Sequence, residues 1–164
     1  MGCQKLTSVD DSNVLFVGED SFEYCTSLES VSLPNAIDLD GWCFRECSNL
    51  NSISLPSAEY IGTASFSNCE SLEYVDLPNV IEMGFRTFTD CTQLNTIILR
   101  SSTVCVLPSN IDELNLPFID TPIASGSGYI YVPAALVDTY KADAIWSTYA
   151  SQIRAIEDYP DICG

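Results

Sequence analysis

The stretch that decides the fold is FEYCTSLESVSLPN, residues 22–35. It returns as FRECSNLNSISLPS at 44–57, as FSNCESLEYVDLPN at 66–79 and as FTDCTQLNTIILRS at 88–101. The period is 22 residues, and the columns are clean. Phe22, Phe44, Phe66 and Phe88 form one; Cys25, Cys47, Cys69 and Cys91 form another, which Cys3 extends backward. Leu28, Leu50, Leu72 and Leu94 follow, with Leu6 in register. Next come Val31, Ile53, Val75 and Ile97, joined by Val9, and then Leu33, Leu55, Leu77 and Leu99. Pro34, Pro56 and Pro78 close three of the copies, and a later apolar column holds Val17, Leu39, Ile61 and Met83, with Cys105 falling in it.

Self-similarity at a fixed period of this length is the signature of a solenoid. Within each copy, L-x-x-[VI]-x-L ends in apolar and polar alternation, which is strand periodicity. One short strand cannot bury its apolar face alone, but stacked copies can, each covering its neighbour about 4.8 Å away. The proline lacks the N–H that a ladder needs, so it ends the pairing. The expected fold is a repeat solenoid, mainly β with parallel strands. Its rungs fall at about 3–24, 25–46, 47–68 and 69–90, with a partial fifth. Gly18, Gly62 and Gly84 share a column that predicts a corner with permissive φ.

Residues 1–107 are read as the solenoid and 108–164 as a C-terminal cap with one strand and one or two helices. In the cap, GYIYV at 128–132 reads as the strand, and Pro133 suits the first position of a helix. Leu136, Val137, Tyr140, Trp146, Tyr149 and Ile153 then form the apolar stripe of the helical part. Such a segment would cover the raw face of the last rung. The N-terminal rung begins abruptly at Cys3, which makes it a candidate surface for oligomer contacts.

Five cysteines in one column read as buried thiols stacked on one another, each a weak donor to a turn carbonyl. Stacked strands set the Cβ atoms wider apart than a disulfide allows. No C-x-x-C pair and no histidine is present, so no metal site and no cofactor is expected.

The chain carries 23 acidic and 6 basic residues, a net charge of -17. Such a surface repels phosphate backbones and anionic lipid heads, so neither nucleic acid nor membrane insertion is expected. No apolar run approaches the length of a membrane span, and the segment MGCQKLTSVDD has no signal-peptide core. Nucleophilic catalysis by Ser or Cys lacks a histidine base. Lys5 and Lys141 lie in no S-x-x-K pattern, and no P-loop or G-x-G-x-x-G occurs. The expectation is a protein that is not an enzyme.

In L-x-x-[VI]-x-L the x positions point outward. The first rungs present small polar groups there, and the later ones present Glu73, Tyr74, Asp76 and an exposed Ile98, the residues expected to meet a partner. A second candidate surface carries Phe16, Tyr60, Trp42 and Phe85, of which Trp42 and Phe85 stand at the corner column.

The phrase F-x-x-C-x-x-L-x-x-[IV]-x-L-P, preceded by [VLI]-G-x-x-[small]-F, resembles the BspA-like leucine-rich repeat family over residues 3 to about 100. The tail from Thr121 resembles segments that follow such repeats in gut-bacterial and phage-associated proteins. The resemblance implies a right-handed curved solenoid with a parallel sheet along its inner face. It implies adhesion and host-protein binding at a cell surface, with a protein or glycan as ligand. Two functional expectations stand: a surface interaction module within a longer chain, or a phage or particle component using the solenoid as spacer or host-recognition tip.

Overall fold

The computed structural model describes residues 2–164. Each copy of the repeat makes one solenoid turn with two short strands, save the copy from Phe88, whose second strand is reduced to a single bridge between Val106 and Glu82. The first strands are β1 (Ser8–Asp10), β3 (Ser30–Ser32), β5 (Ser52–Ser54), β7 (Tyr74–Leu77) and β9 (Thr96–Leu99). The second are β2 (Phe16–Val17), β4 (Asp38–Leu39), β6 (Tyr60–Ile61) and β8 (Glu82–Met83). Every pairing is parallel and in repeat register, so that Val9 lies beside Val31 and Val31 beside Ile53, and Val17, Leu39, Ile61 and Met83 follow one another. The second sheet is a finding beyond the expected single sheet. Its strands are two residues long, too short for alternation to show in sequence. The first sheet runs in two stretches, β1-β3-β5 and then β7-β9, which two further strands near the C-terminal end, Tyr129–Val132 and Ile153–Ala155, extend, and no ladder joins β5 to β7 among the described residues.

The core is built from the predicted columns. Phe22, Phe44, Phe66 and Phe88 stack with centroids 5.1 to 5.4 Å apart and planes within 8°. Below them Cys47 donates its thiol to the carbonyl of Phe22 at 3.2 Å, Cys69 to that of Phe44 at 3.3 Å and Cys91 to that of Phe66 at 3.0 Å. All eight cysteines are free thiols. Cys3 departs from the ladder: it is exposed, and its amide donates to the Cys25 sulfur.

The corner differs from expectation in its cause. Gly18, Gly62 and Gly84 do not have positive φ. A Cβ on Gly62 would stand 2.6 Å from the Asp40 carbonyl carbon, and one on Gly84 would stand 2.5 Å from the Thr63 amide nitrogen. Glycine is therefore kept at these two positions by the close approach of the neighbouring turn. Eight left-handed residues fall in two repeat columns, Asp20, Trp42, Ala64 and Arg86 in one and Tyr24, Glu46, Asn68 and Asp90 in the other, and Asp120 is a ninth outside the 22-residue spacing. Each costs about 1 kcal/mol of backbone strain, offset by an amide bond to the next turn, such as Trp42 N–H to Thr63 O at 2.9 Å and Asn68 N–H to Thr89 O at 2.9 Å.

The solenoid continues past residue 107. Phe118 extends the ring stack at 5.9 Å from Phe88. Thr121 takes the place of the ladder cysteine and donates its hydroxyl to Phe118 O at 2.7 Å. β10 (Tyr129–Val132) pairs with β9, and β11 (Ile153–Ala155) pairs with β10, so Ile97, Ile130 and Ile153 are neighbours in one core row. The helix expected through Ile153 is shorter. It is α1 (Val137–Ala142), with 3-10 turns at Ala134–Leu136 and Trp146–Tyr149, and Ile153 belongs to a strand. Asp143 ends α1: its backbone turns extended and its carboxylate accepts the amides of Ile145 and Trp146. The ring stack stops where Tyr149 meets Phe118 edge-on at 5.4 Å. Trp146 is buried and donates its indole N–H to Cys105 O at 2.7 Å, a packing role.

Candidate functional site

The outward face of the first sheet takes its order from strand register. Asp76 of β7 stands beside Ile98 of β9, and Ile98 beside Tyr131 of β10. Asp76 is held by Arg100, whose Nε lies 3.0 Å and Nη2 2.8 Å from the carboxylate. The same Nη2 donates to Cys163 O at 2.6 Å, which ties the C-terminal segment to the sheet. Glu73 is exposed and Tyr74 is 43% exposed.

Ile98 is not exposed. It is fully buried in a small second core with Tyr131, Cys163 and Ile156. The turn at Ile156–Asp158 and helix α2 (Pro160–Cys163) supply this cover, and Tyr159 meets Tyr131 edge-on at 5.3 Å. An apolar side chain on the outward face is thus satisfied by the chain itself, so Ile98 cannot act as a partner contact while that cover is in place.

One row of the face carries a feature the sequence reading missed. Tyr74, Thr96 and Tyr129 are register neighbours on β7, β9 and β10. Both tyrosines are exposed, and Arg154 lies over the Tyr129 ring at 4.6 Å. The alternation in GYIYV was the available signal: Ile130 and Val132 face the core, so Tyr129 and Tyr131 face outward. Where β5 and β7 separate, a cleft of about 200 Å³ opens, lined by Ile53, Ser54, Pro56, Asp76 and Pro78. Burial first, and then the Asp76 carboxylate, raise the Tyr74 phenol above its ordinary pKa, with Arg100 opposing. Tyr74 is therefore a neutral hydroxyl across the physiological range.

The other two candidates do not share a site. Trp42, 37% exposed, walls a hollow of about 430 Å³ at the corner, together with Ala64, Asn68, Arg86 and Asp90. Phe85 is half-buried and lines a separate groove of about 320 Å³ with Asp38, Tyr60 and Glu82 on the second sheet. Phe16 and Tyr60 are exposed on that sheet as well.

Residues 1–109 match the BspA type leucine-rich repeat region, in six copies. A leucine-rich repeat protein from Bacteroides ovatus ATCC 8483, solved by crystallography, is similar with a TM-score of 0.57 and 23% sequence identity. The similarity covers 94% of this chain and 37% of that one, so the chain spans little more than a third of that protein, and the likeness is one of fold. No curated protein matches the chain.

Proposed function

The chain belongs to the BspA-type leucine-rich repeat family, and from that premise we propose that it is a non-catalytic recognition module acting at a cell surface. Repeats of this family form protein-interaction modules. In this chain the partner is a protein held on the outward face of the first sheet. The observation that carries the reading is the row of Tyr74, Thr96 and Tyr129, with two exposed rings on rigid strands. Aromatic rings lose little rotamer entropy on binding and dominate interface energetics. Glu73 and the Arg100–Asp76 pair frame the row and give polar direction. A chain of net charge -17 draws in partners with a basic rim.

The buried thiols are poor nucleophiles. Burial pushes the thiols of Cys43, Cys47, Cys91 and Cys105 up to about 12, so they stay protonated, and no histidine is present to activate a hydroxyl. No helix among the described residues is long and apolar enough to cross a membrane.

The test is binding of the full chain to immobilised extracellular-matrix proteins by interferometry, with Tyr74→Ala and Tyr129→Ala alongside. Saturable binding weakened about tenfold or more by each variant is expected. Binding that survives both variants would place the contact elsewhere, and no binding to any of these proteins would count against the reading.

A further inference from the structure

The corner hollow is a consequence of register. Asp20, Trp42, Ala64 and Arg86 occupy one left-handed column, one per turn. Ala64 is the only short apolar side chain of the four, and it lies between the two longest. Turns are spaced about 4.8 Å apart, so Trp42 and Arg86 face each other across Ala64 at roughly 10 Å. The second corner column closes the frame with Asn68 and Asp90. The result is a notch of about 430 Å³ with an indole on one wall, a guanidinium on the other and a methyl group as floor.

The polar groups around this notch are free to act. Arg86 and Asp90 make no ion pair among the described residues. Asn68 donates to Ser67 Oγ at 3.1 Å, and its amide oxygen takes no hydrogen bond among the described residues. Arg45, which also lines the notch, is held by Glu23 at 2.9 Å and lies over the Tyr24 ring. The walls are preorganised, since the Trp42 amide is bonded to Thr63 O and the Asn68 amide to Thr89 O.

A flat apolar platform opposite a mixed set of donors and acceptors suits a ring with one C–H face and several hydroxyls. Each hydroxyl both donates and accepts, and a guanidinium, an amide and a carboxylate together serve both needs. The lining carries Arg45 and Arg86 against Asp90, with Arg45 already paired to Glu23, which gives no advantage to a cation, and the net charge of -17 disfavours a polyanion. A pocket of this volume falls in the range of small-molecule sites. We propose that the Trp42–Ala64–Arg86 notch binds a single neutral pyranose unit of a glycan. The site is separate from the tyrosine row and does not depend on it.

The test uses the two tryptophans of the chain. Trp42 is 37% exposed and Trp146 is 1% exposed, so a saccharide in the notch changes the emission of Trp42 alone. The full chain is titrated with the methyl glycosides of glucose, galactose, mannose and N-acetylglucosamine. Binding is also followed by saturation-transfer NMR, which needs no tryptophan. At least one sugar is expected to give a saturable change. Trp42→Ala should abolish its saturation transfer, and Tyr74→Ala should leave it intact. Ala64→Asn fills the notch with a residue that tolerates positive φ and should weaken binding about tenfold or more, with Tyr74→Ala binding and the folded near-UV spectrum of Ala64→Asn showing that the loss is local. The proposal is overturned if none of the four sugars binds, or if binding persists in Ala64→Asn.

Discussion

The hydroxyl of Tyr140 accepts the amide proton of Cys105 at 2.8 Å, across 35 residues of sequence. The indole of Trp146 takes the carbonyl of the same residue. Elsewhere in this core column the strand peptides are satisfied by the next turn of β2, β4, β6 and β8. At Cys105 two aromatic side chains replace that turn, and they stop the column without leaving a buried amide bare.

Tyr140→Phe removes the acceptor and keeps the ring. It leaves the Cys105 N–H buried and unpaired, a loss of about 1–3 kcal/mol. Urea denaturation of the two proteins checks this. A change below about 0.5 kcal/mol would show that the bond adds nothing to stability.

Stability should fall in alkali. Burial holds Cys43, Cys47, Cys91 and Cys105 at about 12 and raises Cys69 as well, against an ordinary value of 9.0. The unfolded thiols ionise first, so the contribution is whole below pH 9 and is lost as pH rises from 9 to about 12. Each titrating thiol adds a slope of about 1.4 kcal/mol per pH unit. Tyr140 and Tyr149, raised by burial from 10.0, act in the same direction at the upper end. Urea midpoints should be flat from neutral pH to about 8.5 and then decline, less steeply in Cys69→Val. A midpoint that holds through pH 11 would rule out the buried thiols as its source.

Thiol reagents should separate Cys3 from the rest. Cys3 is exposed and the other seven are buried. Native protein should react rapidly at one thiol, and all eight should be found once it is unfolded without reductant. Several fast thiols in the native state would contradict the ladder.

Ile98→Ala should act on folding, with no direct effect on recognition. The side chain fills the second core under Tyr131 and Ile156, and its loss costs about 2–4 kcal/mol. Proteolysis near Ile156 should quicken in the variant as the C-terminal segment loosens. Unchanged cleavage would mean that the Arg100–Cys163 bond and the Tyr159–Tyr131 contact hold that segment without Ile98.

The repeat columns were legible because each column meets its own copy in the next turn, so one residue type suits all of them. The turn through Phe118 was not. It follows Phe88 after 30 residues instead of 22, and Thr121 stands three residues after Phe118, where the earlier copies carry cysteine. Ile153 misled because a strand residue completed a helical spacing set by Trp146 and Tyr149. The exposure of Ile98 could not be read from its own repeat, since the cover comes from Ile156 and Cys163, far along the chain. Tyr74 was visible as an aromatic on a polar face; its companion Tyr129 lay in a strand whose partner was unknown until the register was.

The corner of each turn is shaped by main-chain bonds and by glycine clearance, with little demand on the projecting side chains beyond tolerance of a positive φ. Asp20, Trp42, Ala64 and Arg86 share one backbone geometry and nothing else. That ridge can be rewritten letter by letter while the Phe and Cys columns stay fixed, which makes it the natural place for divergent selection to act on an otherwise monotonous chain.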